Sequence, residues 1–436
     1  MKRYAVQVVA FLFIVTLLCS GQDKNADIGV NKELQDKIDK AIEKGVAWLK
    51  AQQQADGSFA LEGRIKDRFP GGASSIALLT LLKCGVKRDD DVIKKGFEWL
   101  KKSTLFEPAE GSMTYCVSVL ILALEAKYNT SEVILKGTSA EAGGKMKGED
   151  KEWMKRLHKW LIDHKHEYEG DAVIDKKGGG TQGGSPIKVT NVAWGYPTAG
   201  WLDNSNTQFA VLALGACSRV GIITNENIWL GITNHFLSQQ DKDGEKVKRV
   251  ALDTAKGTTA ETEIEDRARG WTYVPSSVSS NNSKIPYPAT SYASMSCIGV
   301  ASLVICQAEL QKKAKFKMFS KNVEDGIRDG IAWLGKNFPV KDKTYMDDGC
   351  YNYALYGLER VGALAKTANI GGHLWYKEGA EDIVERQSSD GSWSATAAGK
   401  EFKDFGKLPE TCFCLLFLSK ATFKVPGEGF QVETKR

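Results

Sequence analysis

Two kinds of apolar segment alternate along the chain. Residues 34–54 carry apolar side chains at helical spacing on one face and charged side chains on the other, which predicts a half-exposed helix. Residues 74–84, SSIALLTLLKC, are apolar nearly all round, which predicts a buried helix, and Gly85 follows as a stop signal. The chain therefore opens with an exposed helix paired with a buried one.

This pairing recurs six times. The predicted pairs are 34–54 with 74–84, 90–102 with 113–126, 152–164 with 204–220, 225–240 with 290–310, 323–337 with 348–365, and 373–387 with 411–421. Helices that are exposed on one side and helices that are covered on most sides fit two concentric rings. An open solenoid is the alternative, but solenoids need polar terminal repeats, and here the terminal repeats are the best copies. The predicted fold class is therefore all-α, an (α/α)6 toroid.

The turn between paired helices carries a repeated motif. Residues 44–59, KGVAWLKAQQQADGSF, and 378–393, EGAEDIVERQSSDGSW, share a Gln, a short gap and Gly-x-aromatic in register. These units resemble the Gln-Trp repeats of the terpenoid cyclase and protein prenyltransferase superfamily, whose fold is an (α/α)6 toroid. The resemblance implies that Gln387 and Trp393 tie neighbouring helices together. It indicates the fold more than the function, because one scaffold hosts unrelated chemistries.

The N-terminus has the layout of a secretory signal. The chain begins with MKR, residues 5–18 are mostly apolar, and small or polar residues follow to Gly21. The apolar run is shorter than the roughly 20 residues that span a bilayer. We expect export to the periplasm or beyond the cell, with a lipid anchor on Cys19 as the alternative and as the only membrane attachment. The expected division is a signal peptide over 1–21, a flexible leader over 22–31, the toroid over 32–425 and a tail over 426–436.

Charge and cysteine content narrow the class further. Lys and Arg number 59 against 54 Asp and Glu, and they are scattered, so nucleic-acid binding has no support. An even number of cysteines beyond the signal is compatible with disulfides in an exported protein. Nearly all of them, however, lie in apolar helical segments, so we expect mostly unpaired, buried thiols. These cysteines are Cys84, Cys116, Cys217, Cys297, Cys306, Cys350, Cys412 and Cys414.

Two of the predicted connections from an outer to an inner helix are long, 167–203 and 241–288. Structureless loops beyond about 12–15 residues are uncommon unless they are functional or disordered. The aromatic parts of both loops predict ordered caps over the mouth of the ring, whereas the charged part, 241–266, is expected to be solvated and mobile. The inner helices begin with more polar residues than N-capping explains, which predicts a central pocket.

We expect this pocket to bind an unidentified small molecule or polymer. For Trp194 and Trp271 the alternative is that they are displaced copies of the aromatic residue of the repeat turn. The candidate pocket residues are Asp203, Asn204, Asn206, Gln208, Tyr292, Trp194, Trp201, Trp271, Tyr273 and Tyr351.

One segment resembles a metal site. Residues 348–351, DGCY, resemble the zinc segment of protein prenyltransferase β subunits, and 411–415, TCFCL, resemble the segment that follows the zinc-binding His of that family. Asp348 and Cys350 occupy two matching ligand positions, and Glu410 stands where the family has His. Zinc accepts carboxylate oxygen, although one Cys with two carboxylates is an unusual set. The resemblance implies a zinc cofactor, and a buried Cys beside a capping Asp is the alternative.

Other chemistries find less support. The terpene cyclase acid motif D-x-D-D and the metal–diphosphate motif D-D-x-x-D are absent, and residues 89–91, DDD, are interpreted as a helix cap. The sequence has no G-x-S-x-G, H-E-x-x-H or P-loop motif either. We therefore expect a ligand-binding or scaffold toroid without cyclase activity. The alternatives are a zinc-dependent prenyltransferase-like enzyme and a polysaccharide lyase-like toroid enzyme that uses Tyr292 and Asn206.

Overall fold

Six helix pairs make up the computed structural model. It describes residues 29–61, 69, 71–103, 113–128, 146–174, 181–182, 185–196, 202–253, 260–274, 290–340, 350–394 and 406–420. Within these residues the α-helices are α1 Lys32–Ala51, α2 Gly72–Lys83, α3 Asp91–Lys102, α4 Met113–Tyr128, α5 Glu149–Asp163, α6 Asn204–Arg219, α7 Glu226–Gln239, α8 Ala293–Leu310, α9 Ser320–Lys336, α10 Tyr351–Leu364, α11 Trp375–Glu385 and α12 Lys407–Leu418. All six predicted pairs are confirmed.

The even-numbered helices form a closed inner ring. Each packs against the next in the order α2, α4, α6, α8, α10 and α12, and α12 packs back against α2. The odd-numbered helices lie outside, and α1 contacts both α12 and α11, so the first and last pairs are neighbours. This arrangement confirms the (α/α)6 toroid and excludes the open solenoid.

Helix composition follows position in the two rings. Helix α3 buries one face, with Val92, Ile93 and Phe97 inward and lysines outward, as an outer helix must. Helix α8 is buried nearly all round. Among the described helices, α8 alone is long and apolar enough to span a membrane by composition, yet 83% of that segment is buried inside the ring. Its apolarity therefore fits an inner helix.

Three glutamines tie the outer helices together. Each follows the end of an outer helix, and its Nε2 donates to a carbonyl of its own turn and to a carbonyl of the next outer helix. Each glutamine therefore links the end of one outer helix to the body of the next. The bonds are Gln53 to Gly57 at 3.0 Å and Val92 at 2.8 Å, Gln240 to Arg269 at 3.1 Å and Gly326 at 2.9 Å, and Gln387 to Gly391 at 3.0 Å and Ala41 at 2.9 Å. The role implied for Gln387 is confirmed, and its bond to α1 joins the two ends of the ring.

Replacing Gln387 by alanine should lower the free energy of unfolding by about 1–3 kcal/mol, because two hydrogen bonds to backbone carbonyls are lost. Gln52→Ala is the matched control, since within the described residues the Gln52 amide bonds Trp48 of its own helix, and it should change stability by less than about 0.5 kcal/mol. Urea unfolding followed by circular dichroism measures both. Equal losses in the two variants would contradict the role of Gln387 in closing the ring.

The aromatic residue of the repeat turn docks the inner helix against the outer one. Its backbone N–H donates to a Ser or Thr hydroxyl near the start of the inner helix, and where it is Trp, its indole N–H donates to a carbonyl of the paired outer helix. The backbone bonds are Phe59 to Ser74, Trp194 to Thr207, Trp271 to Ser296 and Trp393 to Thr411, at 2.9, 3.0, 3.2 and 3.0 Å. The indole bonds are Trp194 to Leu161, Trp271 to Phe236 and Trp393 to Ile383, at 2.9, 2.8 and 2.7 Å.

The two long connections contain β-hairpins that the sequence analysis missed. Strand β1, His166–Asp171, pairs with β4, Lys188–Ala193, and between them lie the short strands β2, Thr181–Gln182, and β3, Ser185–Pro186. Strand β5, Glu245–Asp253, pairs with β6, Ala260–Ala268. All three pairs are antiparallel.

The described parts of 241–266 form a packed hairpin, which contradicts the expectation of a mobile segment there, and residues 254–259 lie outside the described residues. Strand β6 packs on α9, where the Arg267 backbone N–H donates to Asp329 at 2.7 Å and the Arg269 guanidinium pairs with the same carboxylate at 2.6 Å. Along the end of β6, Asp266 and Ala268 are buried while Arg267 is exposed, which is the alternation of a half-buried strand. The high charge of this segment concealed that alternation.

Two further expectations are confirmed. All eight cysteines beyond the predicted signal are free thiols, and six of them are buried. Asp90 caps α3, because its carboxylate accepts from the Val92 N–H at 3.0 Å and from Lys50 at 2.7 Å. The acidic triplet is therefore a helix cap on the outer ring, as interpreted.

Candidate functional site at the ring axis

Side chains from two inner helices that are not neighbours meet inside the ring. The Ser205 hydroxyl lies 3.2 Å from the Tyr353 hydroxyl, and the Phe209 and Tyr353 rings stack with centroids 6.2 Å apart. Helix α8 lies between α6 and α10 in the ring, so these contacts lie inside the ring and not at an interface between adjacent helices. We define the axial site by the side chains gathered there, which are Tyr115, Ser205, Gln208, Phe209, Tyr353, Tyr356, Arg360 and Phe413.

Aromatic rings form a continuous lining of the axial site. Tyr115 packs edge-on against Phe209 at 5.1 Å, and Phe413 contacts Tyr353 at 5.4 Å and Tyr356 at 6.0 Å. Four of these rings, all but Tyr115, keep between 7 and 9% of their surface exposed, whereas many residues at the helix interfaces are fully buried. The lining therefore retains a face toward the interior of the ring.

Arg360 lies among these rings. Its guanidinium carbon is 4.1 Å from the centroid of Tyr356 and 5.9 Å from that of Tyr353, within the range of cation–π attraction. With the Gln208 amide oriented so that each atom finds a partner, its oxygen accepts from Nη2 at 2.9 Å and from Nε at 3.1 Å. The Gln208 nitrogen then donates to the Tyr353 hydroxyl at 3.2 Å. A guanidinium, an amide and a phenol thus share one hydrogen-bonded chain.

Asp203 caps α6 at the edge of this site. Its carboxylate accepts from the Asn206 backbone N–H at 2.7 Å and from the Asn206 amide at 2.8 Å, and it is fully buried. Burial raises the pKa of Asp203 to about 7, against the opposing effect of these hydrogen bonds. The other amide atom, Asn206 Oδ1, has no hydrogen-bond partner. A protonated Asp203 would supply that partner if the amide turned over.

Asn204 holds two connections together rather than lining the pocket. Its Nδ2 donates to the Thr272 carbonyl, and its Oδ1 lies 2.8 Å from His235 Nε2. The Tyr168 hydroxyl lies 2.7 Å from His235 Nδ1. Because Asn204 Oδ1 can only accept, the His235 proton is on Nε2, and Nδ1 accepts from Tyr168. Burial lowers the pKa of His235 to about 3, so this imidazole is neutral.

The remaining predicted pocket residues divide between structural roles and the edge of the site. Trp194 and Trp271 are fully buried repeat-turn aromatics, so placing them in the pocket was wrong and the alternative is correct. The Tyr351 hydroxyl donates to Asp382 at 2.9 Å, outside the axial site. Tyr273 lies beside Asp203, with which it shares a hydrogen bond, and Tyr292 precedes α8, 3% exposed. Trp201 is outside the described residues.

Gln208 is thus the predicted residue that the structure places at the axis, and the others there were missed. A signal for one was present: Arg360 is a charged residue inside YNYALYGLERVGAL, the buried helix α10. A charged residue in an otherwise apolar, buried segment is rarely found without a polar or charged partner, so its presence indicates a specific contact. The aromatic residues gave no comparable signal, because aromatic residues in buried helices are ordinary core.

The proposed zinc ligands are only partly described. Glu410 is buried, and its Oε2 accepts from the Asn352 amide at 2.7 Å, while the amide oxygen accepts from Arg386 at 2.9 Å. Cys350 is half-buried immediately before α10. Asp348 lies outside the described residues, within which no group of three or more His, Cys, Asp or Glu side chains is placed to hold a metal. The zinc site stays a prediction.

The comparisons with known proteins agree with the ring architecture. No family model and no curated protein matches the chain. Solved structures do match, among them the GH76A α-1,6-mannanase from Salegentibacter sp. HEL1_6, at 10% identity over 88% of this chain and 98% of that chain, with a TM-score of 0.49. Inactive variants of that mannanase, in complex with α-1,6-mannotriose and α-1,6-mannotetrose, match with TM-scores of 0.50 and 0.51 at 10% identity, over 88% of this chain and 99% and 98% of theirs.

At this identity the likeness shows the fold alone. The protein is an (α/α)6 toroid with a site on the axis of its inner ring. Membership of the terpenoid cyclase superfamily stays a prediction.

Proposed function

We propose that the axial site binds a carbohydrate chain and that the protein is a polysaccharide-processing toroid enzyme. The observation that carries this proposal is the continuous aromatic lining beside hydrogen-bonding groups on Ser205, Gln208 and Tyr353. Ligand sites combine apolar and aromatic walls with a few placed polar groups, and a sugar ring offers an apolar face and hydroxyls that match both. The structurally similar mannanase variants are in complex with mannose oligosaccharides, which is compatible with such a ligand.

Tyr353 is the residue we assign to proton transfer. Its hydroxyl lies at the centre of the site, 3.2 Å from Ser205 and in contact with the Gln208 amide, whose oxygen binds Arg360. A lyase-type toroid enzyme needs a Tyr or His base beside an Arg or Asn, and this set supplies both. This set replaces the pair Tyr292 and Asn206 that the sequence suggested, because Asn206 is bonded to the capping Asp203 and Tyr292 lies at the start of α8.

A hydrolase is the second candidate. It needs two carboxyl groups flanking the scissile bond. The sequence places Asp347 and Asp348 directly before inner helix α10, in a segment outside the described residues. The mannanase in the matched complexes was inactivated by replacing two adjacent aspartates. The products of the reaction distinguish the two candidates.

Turnover on a panel of polysaccharides tests the proposal. Tyr353→Phe should lower kcat by about 10²–10⁴-fold, the usual contribution of a proton-transfer group, without changing the unfolding midpoint. Tyr128→Phe is the control. The Tyr128 hydroxyl lies at the C-terminal end of α4 and donates to Asp150, so removing this hydroxyl should leave turnover unchanged. A new non-reducing end that carries a C–C double bond indicates a lyase. A saturated new non-reducing end that is no longer formed by Asp347→Asn/Asp348→Asn indicates a hydrolase, and no binding or turnover on any polysaccharide would sink the proposal.

We also propose that the protein works outside the cytoplasm, since residues 1–21 have the layout of a signal peptide. An exported enzyme would meet polysaccharide outside the cytoplasm, so the two proposals are consistent. The N-terminal segment lies outside the described residues.

A further inference from the structure

Arg360 is a buried cation without a carboxylate partner. The residue is 1% exposed, its Nη1 makes no hydrogen bond, and no carboxylate of the described chain lies within 4.0 Å of its guanidinium. A guanidinium does not lose its proton in a protein, so Arg360 stays charged in this buried position. Burying an ion without a counter-ion costs several kcal/mol, so a folded protein that retains such a charge has a reason to do so.

The other arginines that are well shielded show what ordinary pairing looks like in this protein. Arg219 pairs with Glu125 through two bonds, Arg269 with Asp329 at 2.6 Å, and Arg386 with Asp382 at 2.8 Å. Each joins two elements or two turns of one helix, as structural ion pairs do. Arg360 is more deeply buried than the arginines of these pairs and has only neutral partners.

Those neutral partners orient the guanidinium and leave its charge in place. The Gln208 oxygen occupies Nε and Nη2, and the Tyr356 ring covers one face. Nη1 is left over, beside the aromatic lining of the axial site. An anion that accepted from Nη1 would neutralise the charge and satisfy the last donor at once.

A ligand can reach this position at small cost. The Tyr353 hydroxyl makes contacts of 3.2 Å to Ser205 and Gln208, and its ring centroid lies 5.9 Å from the Arg360 guanidinium carbon. Hydrogen bonds between neutral groups are weak at this length, so exchanging them for bonds to a ligand changes the free energy little. Tyr353 keeps 9% of its surface exposed.

We propose that Arg360 binds the carboxylate of an acidic sugar, so that the substrate class of the axial site is a uronic-acid polysaccharide. This inference rests on the proposed function and deepens it. An aromatic wall then holds the sugar ring while Nη1 donates a charge-assisted hydrogen bond to the carboxylate. It also favours the lyase over the hydrolase, because elimination beside a uronate carboxylate needs a cation to hold the charge that develops on that carboxylate.

Calorimetry with matched ligands tests this inference. Uronic-acid oligosaccharides and their carboxyl-reduced counterparts, which differ only in the charged group, are titrated into the full protein, Arg360→Gln and Lys95→Gln. Wild type should bind the acidic ligand about 10- to 100-fold more tightly than the reduced one, the range of a charge-assisted bond. Arg360→Gln should lose this preference, keep its affinity for the reduced ligand and unfold at the same or a higher temperature. Lys95→Gln, which removes an exposed charge, should behave as wild type.

The failures are distinguishable. Equal affinity for both ligands in wild type would overturn the inference while the proposed function stands. A lower unfolding midpoint with equal loss of both ligands in Arg360→Gln would assign Arg360 a structural role and overturn it as well. If no saccharide binds, both the proposed function and the uronate proposal fail. Titration of inorganic sulfate then tests whether Arg360 binds an anion at all. Sulfate binding that Arg360→Gln abolishes would support Arg360 as an anion-binding group, and its absence would overturn that too.

Discussion

Replacing Trp271 by alanine should lower the free energy of unfolding by about 3–5 kcal/mol, the range for large buried aromatics. The indole is fully buried, donates to the Phe236 carbonyl at 2.8 Å and lies against two glycines. A Cβ on Gly299 would stand 2.2 Å from the ring, and one on Gly330 would stand 2.7 Å from it. Residues without side chains cannot fill the space that the indole leaves, so the cavity persists.

The same contact gives a double-mutant test. Gly299→Ala alone should also destabilise, by about 1–3 kcal/mol, because the added methyl overlaps the indole. In Trp271→Ala/Gly299→Ala the methyl occupies part of the cavity, so the combined loss should be smaller than the sum of the two losses. Urea unfolding of the four proteins measures this, with half-buried Trp48 replaced by Ala as a control of smaller effect. Additive losses would show that Trp271 does not fill the space beside Gly299.

The second large effect is a pair of opposed pH dependences. The pKa of Asp203 is raised from 3.8 to about 7 in the folded state, so the folded protein binds more protons than the unfolded chain between these values and its stability falls as pH rises. The pKa of His235 is lowered from 6.5 to about 3, so the unfolded chain binds more protons there and stability falls as pH falls. Between about pH 4 and 6.5 the two slopes oppose each other.

Single variants should expose each slope. Asp203→Asn should lose about 4 kcal/mol of stability relative to its own value at neutral pH as pH falls from 6.5 to 3, at about 1.4 kcal/mol per pKa unit. His235→Gln should instead lose a similar amount as pH rises from 4 to 7. Wild type should have the flattest profile of the three between pH 4 and 6.5. Unfolding free energies at half-unit pH intervals measure this, and parallel profiles in all three proteins would refute it.

The fold could be read from the sequence because it is built from local signals. The period of apolar residues marks each helix, Gly391 and Gly57 adopt the positive φ angles that the repeat turns require, and the Gln-aromatic motif recurs at both ends of the chain. Closure of the ring was predicted because the first and last repeats match the repeat motif best. The hairpin β5–β6 was missed because charged side chains cover its exposed face, and strand pairing between 245 and 268 is not a local property.

The axial site could not be read in the same way. Ser205 and Tyr353 meet inside the ring although their positions differ by 148 residues, and no spacing in the sequence indicates which inner-helix positions face the axis. Polar residues at the start of α6 predicted a pocket, but Asp203 caps the helix and Asn204 joins two connections. Arg360, the candidate for function, lies about two and a half turns into a buried helix, and only its contacts in the folded protein indicate a role for it.

Closure of the inner ring changes how the molecule comes apart. In an open array, the end repeat has one neighbour, so it can fray while the others stay folded, and stability is roughly a sum along the line. Here α12 packs on α2 and the Gln387 amide reaches Ala41, so every repeat has two neighbours and there is no end from which melting can begin. Opening any one interface exposes two faces of the apolar inner ring at once. The ring therefore unfolds as a single cooperative unit, and its axial site is either complete or lost.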